Sequence, residues 1–481
     1  MPQNLMTLSC LFAGAVLVWS PLPDTFALET TTSRYDAVTR SLRLETVLSL
    51  VETQHPLLHG SRTEKLQAQG KLLKALGAFE PILVNDLEVE RLVKDGQTKN
   101  VGFNDTIIQM RHPLGLRGFV GWRTGLGDVE VADLGVQKTN QPLLGLVLPL
   151  LRGLGTNPAQ GELEKSKLAE QEATLNIQQT RQDLYLGAAT QYWKWVAAWK
   201  AVDLRQQALE VAKARLQQVT RQAEAGAVAE FDVTEAHQEV QRRLENVIKA
   251  KREAELEQFK LSLFVWDHGA PMVFNFQSFP DFPSPTSTSD NQSRETDVDL
   301  AQQRRPEILQ ITLEAARNHI DLGVAKNNLL PDLLAEAEPT RKPGEFVLGL
   351  GYRFGLQLSF PFLQKDATGQ QLQLKAKAER LLWDQQYRMQ QVAVDIDNAN
   401  SAILRAEERM QAASQALIYA RSLVKGERTR FQVGATNLLF VNLRERNVVD
   451  AEVIYIQAQA EYHQAQAFYQ WATGHWTQPV A

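Results

Sequence analysis

Residues 56–85 read PLLHGSRTEKLQAQGKLLKALGAFEPILVN, and residues 306–335 read PEILQITLEAARNHIDLGVAKNNLLPDLLA. Each stretch opens on a proline and meets another 25 residues later, Pro56 to Pro81 and Pro306 to Pro331, so two copies stand 250 residues apart. Between the prolines, apolar residues recur at helical spacing: Leu58, Leu66, Leu72, Leu73 and Leu76 in one, Ile308, Ile311, Ala315, Leu322 and Val324 in the other. After the second proline the period drops from about 3.6 to about 2, the change expected where helix gives way to strand. Asp86-Leu87-Glu88-Val89-Glu90 alternates in the first copy; Phe346–Tyr352 and Gly355–Phe360 do so less strictly in the second.

Each copy then reaches another apolar step through proline, Leu148-Pro149-Leu150-Leu151 and Phe360-Pro361-Phe362-Leu363. These steps lie 68 and 30 residues beyond the first strand proline, which leaves about 38 extra residues in copy one. The extra residues hold alternating segments (Phe103–Met110, Phe119–Arg123) that suit an added hairpin or a long loop.

A long helical tract follows each step and is interrupted once, at Ala225-Gly226-Ala227 and at Val433-Gly434-Ala435. At 1.5 Å per residue an arm of about 60 residues approaches 90 Å, a length that needs a coiled-coil partner. On the last helix Val448, Ala451, Tyr455, Ala458, Tyr462, Ala465 and Tyr469 follow alternating spacings of three and four, a heptad seam. A second, offset seam carries Val449, Val453, Ile456, Ala460 and Ala467. Two seams require neighbours on both sides, as in a closed cylinder of helices.

The organisation expected is a signal peptide over 1–27, a first repeat over 42–266, a Pro- and Ser-rich linker over 267–300, a second repeat over 301–473 and a tail over 474–481. The apolar run Leu8–Trp19 is too short to span a bilayer and fits an export signal cleaved near Ala27, although no Lys or Arg precedes it; a buried N-terminal strand or short helix is the other reading. Its Cys10 is the chain's one cysteine, so removal of the run would leave no thiol. A mean hydropathy of −0.29 excludes a bundle of transmembrane helices. Membrane insertion would have to use strands, whose alternation barely moves that average. A net charge of −5 argues against nucleic acid as a partner.

The order helix, proline-led strand, strand ending in Pro149-Leu-Leu-Arg-Gly153, long helix, glycine turn and long helix, given twice, resembles the TolC family of outer-membrane channel proteins. The likeness spans roughly residues 42–473, and its most specific pieces are Leu146–Gly155 and Arg430-Phe-Gln-Val-Gly-Ala-Thr436. It implies a mostly α fold with a small β part: a duplicated strand and long-helix-hairpin unit, three copies of which form an outer-membrane β-barrel continued by a periplasmic α-helical barrel. The implied function is a passive exit duct of a tripartite efflux pump or type I secretion system. Its partners would be two further copies, outer-membrane lipid, a periplasmic adaptor and an inner-membrane pump; no cofactor is implied.

Within that resemblance the two glycine turns lie at the periplasmic entrance. Gly226, Ala227, Val433, Gly434, Ala435 and Thr436 become candidate adaptor contacts, with Ala where the family favours Leu. Each Gly also suits a left-handed helix end, whatever else it does. The first tip carries Glu224, Glu230, Asp232 and Glu235 and the second Lys425, Arg428 and Arg430, so Glu230 and Asp232 facing Arg428 and Arg430 form a candidate gate.

Other chemistry finds little support. His55 and His59 are four apart with Pro56 between them and no third ligand near, a poor metal site. There is no phosphate-binding loop, dinucleotide fingerprint or zinc-protease motif. Trp193, Trp195 and Trp199 with Tyr192 suit helix packing better than a stacking platform. A soluble coiled-coil scaffold of the cell envelope is the alternative architecture, and no clustered polar site suggests an enzyme.

Overall fold

A computed structural model describes residues 42–94, 96–127, 130–131, 140–272, 280–284, 294–341 and 347–479. The expected leader and Cys10 lie outside the described residues. The first repeat comprises α1 (Leu44–Gln54), α2 (Pro56–Leu76), β1 (Ile82–Lys94), β2 (Gln97–Arg111), β3 (Arg117–Gly127), β4 (Asn140–Pro149), α3 (Pro158–Glu224) and α4 (Glu230–Ser262). The second comprises α5 (Arg294–Arg304), α6 (Pro306–Asn327), β5 (Asp332–Arg341), β6 (Val347–Ser359), α7 (Lys365–Gln432) and α8 (Leu438–Ala472).

The 250-residue offset reaches one helix further back than the proline pattern shows, because α1 and α5 correspond residue for residue. Helix α5 therefore occupies the end of the stretch read as linker, and the second repeat begins at Arg294 instead of 301. Its sequence is too polar to display an apolar stripe. Val298 and Ala301 nonetheless pack against Val392 and Ile396, and Glu295 and Asp297 sit in the first turn, where the helix dipole favours negative charge. Pro56, Pro158 and Pro306 each stand at a helix start, where the missing N–H costs nothing.

Helices α3 and α7 hold 67 and 68 residues, about 100 Å each. The returning arms α4 and α8 hold 33 and 35, about half as many as the outgoing arms. Helix α4 runs back from the tip until it meets the start of α2, where the His55 ring nitrogen Nε2 lies 3.2 Å from the Leu263 carbonyl oxygen. The α2 and α4 helices thus lie end to end along α3. Ser61 bonds Thr180 at 3.0 Å in the upper stretch, while Leu209 and Ala212 meet Val240 and Val247 in the lower one.

Both seams of α8 are used. Ala458, Tyr462 and Ala465 pack on Ile403, Ala406 and Met410 of α7, whereas Ile456, Ala460 and Ala467 join the cluster around Tyr185, Tyr192 and Trp195 of α3. That cluster also takes Val47, Leu48 and Val51 from α1. It is the main core, and each such large side chain contributes about 1.5–3 kcal/mol by leaving water. The tryptophans of α3 serve packing, with Trp195 fully buried and Trp193 stacked against both His463 and Phe282, which also stack on each other.

The six long strands form one sheet in the order β1-β2-β3-β4-β5-β6, each neighbouring pair antiparallel. The extra segment of the first repeat is the hairpin β2–β3, turning at residues 112–116. The repeats are tied where strand becomes helix: Leu150 donates to the Leu333 carbonyl at 2.8 Å, and Arg152 pairs with Asp332 at 2.5 Å.

Candidate functional site

The register sorts the sheet's side chains onto two faces. One face carries Leu83, Leu87, Ile108, Val120, Trp122, Leu144, Leu146, Phe354, Leu356 and Leu358, linked across strands by pairings such as Leu83↔Ile108↔Val120↔Leu144 and Ala337↔Phe354. These side chains are exposed, Phe354 at 79% and Leu356 at 74%. The opposite face carries Asp86, Glu88, Asp105, Arg123, Glu336, Glu338, Arg353 and Gln357. There Asp105 receives Arg123 through two bonds of 2.6 Å, and Glu338 pairs with Arg353. Strands of 10 to 15 residues are long enough to cross a bilayer at a tilt. An exposed apolar face of this breadth is unstable in water, so a soluble scaffold does not fit. No helix among the described residues is long and apolar enough to cross a membrane.

At the other end both helical hairpins close in the same manner. Gly226 and Gly434 adopt φ of 72° and 73°, left-handed values that disfavour any side chain. In the first tip Ala227 N–H donates to the Gln222 carbonyl and Gly226 N–H to Ala223; in the second, Ala435 donates to Arg430 and Gly434 to Phe431. This double closure satisfies carbonyls that the helix end would otherwise leave open. Ala227, Val433 and Ala435 are exposed around the glycines and Thr436 is half-buried. Phe231 and Val433, each 74% exposed, add apolar surface. Behind them Val219 and Ala236 of the first hairpin meet Leu438 and Phe431 of the second, so the two tips are held side by side.

The opposite charges expected to face each other across the tips are placed otherwise. Asp232 accepts from the Ala229 N–H at 3.2 Å and caps its own helix, and Glu230 is exposed in the same first turn. Arg430 reaches its own hairpin, at Glu427 (3.7 Å) and the Ala435 carbonyl. Arg428 turns to Glu445 of α8 at 2.7 Å. Within one chain, then, neither arginine meets Glu230 or Asp232. Helix-start carboxylates satisfy their own backbone first.

The charges that do join the hairpins went unread. Glu445, 5% exposed, accepts from Arg215 of α3 at 2.6 Å, Arg243 of α4 at 3.1 Å and Arg428 of α7 at 2.7 Å. One carboxylate on α8 therefore holds a guanidinium from each of the other three helices. Arg243 also donates to Glu239 at 2.8 Å and to the Ala208 carbonyl, which completes its fork. Burial pushes the Glu445 carboxyl up, but hydrogen bonds and charge from Arg215 and Arg428 outweigh it and hold the group below the usual carboxylate range. Burial beside Asp232 and Glu239 raises Glu235, which accepts from Asn442. Arg215 and Glu445 each lie eleven residues from their tip glycine, so this girdle sits about 16 Å behind the entrance. Nothing in the sequence separated Glu445 from the many charged pairs that stay on the surface.

His55 is no metal ligand in this arrangement. Its Nδ1 accepts from the Leu57 N–H at 3.3 Å, which leaves Nε2 to carry the proton toward Leu263, and burial lowers its proton affinity. No group of three or more potential metal ligands occurs among the described residues.

Residues 298–475 match the family described as outer membrane efflux protein. The fold is similar to that of the outer-membrane channel OprN, with a TM-score of 0.69 and 17% identity over 90% of this chain and 91% of that one. It is also similar to the Campylobacter jejuni CmeC outer membrane channel (TM-score 0.63, 15% identity, 90% and 85% covered). The Vibrio cholerae outer membrane protein VceC matches at TM-score 0.63 and 13% identity over 90% and 96%. No curated protein matches this chain.

Proposed function

We propose that this chain is an outer-membrane efflux channel protein of the TolC family, a reading its matching domain and its fold support, and that it assembles as a homotrimer and works as the passive exit of a tripartite pump. The observation that carries the reading is the two-faced sheet continuing into helical hairpins about 100 Å long. Closing the sheet across copies satisfies strand edges that lipid cannot. The helices then continue the lumen as a periplasmic tunnel, and transport energy comes from an inner-membrane pump, the duct itself doing no catalysis.

The adaptor docks at the tips, on Gly226, Ala227, Val433, Gly434, Ala435 and Thr436. The left-handed glycines hold the turns in one shape, and the exposed Val433 offers an apolar anchor. Opening separates the hairpins and must loosen the girdle around Glu445, where Arg428 is the most exposed partner. Of the candidate gate residues Glu230, Asp232, Arg428 and Arg430, Arg428 is the one that joins this girdle. A photo-crosslinking residue placed at Ala227 or Val433 in cells should trap a periplasmic adaptor, and one placed at Leu144 in the sheet should not. Equal trapping from both ends, or from neither, would remove the docking proposal.

A further inference from the structure

We infer that the β2–β3 hairpin, present in the first repeat and absent from the second, forms part of the lipid-facing wall, so that each copy supplies six strands and the membrane exit is wider than four strands per copy would make it. The inference deepens the channel reading and rests on it for the membrane and for the number of copies.

Three observations place the hairpin in the wall. It is paired on both flanks, β2 with β1 over thirteen positions from Ile82 to Lys94 and β3 with β4 over eight from Arg117 to Thr124. A plug folded into the lumen would leave β1 beside β4; instead β1 pairs with β2 along its whole length. Its side chains also obey the sheet's division. Ile108, Val120 and Trp122, between 48% and 55% exposed, continue the apolar face, while the Asp105–Arg123 pair occupies the other, with the guanidinium 5.0 Å from the Phe103 ring centre. Apolar outward and charged inward is the arrangement of a wall between lipid and water.

The turn, finally, is built into the joint where strand becomes helix. Gly155 N–H donates to the Leu114 carbonyl at 3.0 Å and the Asn157 amide to that of Pro113 at 2.8 Å. Gly115 takes φ of 97°, and a Cβ there would lie 2.2 Å from the Gly153 carbonyl oxygen. The hairpin therefore turns at the helix end of the sheet, and its open ends at Gln97 and Gly127 point away from the helices, as a pair of wall strands requires.

Direction alternates through the six long strands, so the outermost of them, β1 and β6, run opposite ways; only the first two residues of β6, Val347 and Leu348, are already paired on the outer side, in parallel, by Glu130 and Val131. The β6 edge of one copy can then pair antiparallel with the β1 edge of the next, which only an even number of strands allows. Three copies with six strands each close as eighteen strands; without the hairpin they would close as twelve. Barrel diameter grows roughly linearly with strand number, so the hairpin widens the exit about one and a half times. The helical rods gain nothing from it. The widening is thus confined to the membrane end, which leaves the gated tips as the narrower end of the duct.

The test uses the full chain with Cys10→Ser, reconstituted in vesicles. Gln109→Cys and Phe119→Cys, on the luminal face, should react with a membrane-impermeant maleimide at least tenfold faster than Ile108→Cys and Val120→Cys. Fluorophores at the latter two should be quenched by brominated lipid acyl chains. Four equal, fast aqueous rates without quenching would overturn the inference. Counting strands by electron cryomicroscopy separates it from the channel reading. Six per copy in any closed ring supports the hairpin as wall, and a ring of other than three copies would contradict only the trimer. Four per copy, with the hairpin outside the ring, would overturn the inference and leave the channel intact.

Discussion

From Leu44 and from Arg294 the two repeats run in step, 250 residues apart, through a pair of helices and into a strand at Ile82 and Asp332, and beyond that they diverge. The first inserts a hairpin before its long helix; the second goes straight on. At the tips they agree again in backbone, down to the two carbonyl bonds around each glycine, yet differ in charge and in what the neighbouring helices bury. The shared parts are those where helices must stack and chain ends must be closed, which admit few solutions. The unequal parts face lipid, a partner or the other hairpin.

The largest expected effect lies in the girdle. Glu445 has no equivalent in the first hairpin, where the position at the same distance past the glycine is the exposed His237. Glu445→Ala leaves Arg215 without its carboxylate and the buried Arg243 with Glu239 alone, and should cost about 3 kcal/mol, read as a lower denaturant midpoint, whereas His237→Ala should cost nothing measurable. Because the folded Glu445 carboxyl lies below its unfolded value, its contribution is present above about pH 4.3 and lost as pH falls through the lower folded value. Equal costs at the two positions would break the contrast between the hairpins.

Gly226→Ala and Gly434→Ala should behave alike, each costing about 1–2 kcal/mol for a side chain in the left-handed region. Thermal unfolding of the two variants checks it, and a clear difference between them would mean the tips are not equivalent turns.

Asn157 caps α3 by accepting from the Gln160 N–H at 3.0 Å while holding the added hairpin's turn, whereas α7 starts after Gln364, whose side chain reaches the Leu329 carbonyl. Asn157→Ala should cost about 1 kcal/mol and raise hydrogen exchange at residues 112–116, with no change around β5 and β6.

The smallest effect distinguishes His55 from its counterpart Arg305. Burial depresses the His55 value, so the joint between α2 and α4 is firm above about pH 6.5 and loosens as pH falls through the folded value, by under about 1 kcal/mol. Exchange near Leu263 should rise in that window, and exchange around Arg305 should not.

Much of this was legible because prolines and glycines report backbone demands directly. Pro56 and Pro306 start helices, and Gly226 and Gly434 close them, in the places their chemistry requires. The double seam of α8 was legible too, since Tyr462 and Ile456 belong to different helical faces and so to different neighbours. Helix α5 was hidden because eight of its eleven residues are polar and it buries little more than Ala301 and Asp297. The girdle was hidden for a related reason: Arg215 and Glu445 look like surface charges until the four helices close around them. Within one chain the candidate gate's charges find other partners, since Asp232 spends its carboxylate on its own helix start and Arg428 turns to Glu445.

The most direct measurement is current through a planar bilayer carrying the purified chain. The account predicts discrete conductance steps. A bulky maleimide on Val433→Cys at the tip should lower them, and the same reagent on Gln109→Cys in the wider wall should leave them nearly unchanged. Inserted protein that passes no current, or a block that is stronger from Gln109 than from Val433, would contradict a duct that spans the membrane through its strands and narrows at its helical tips.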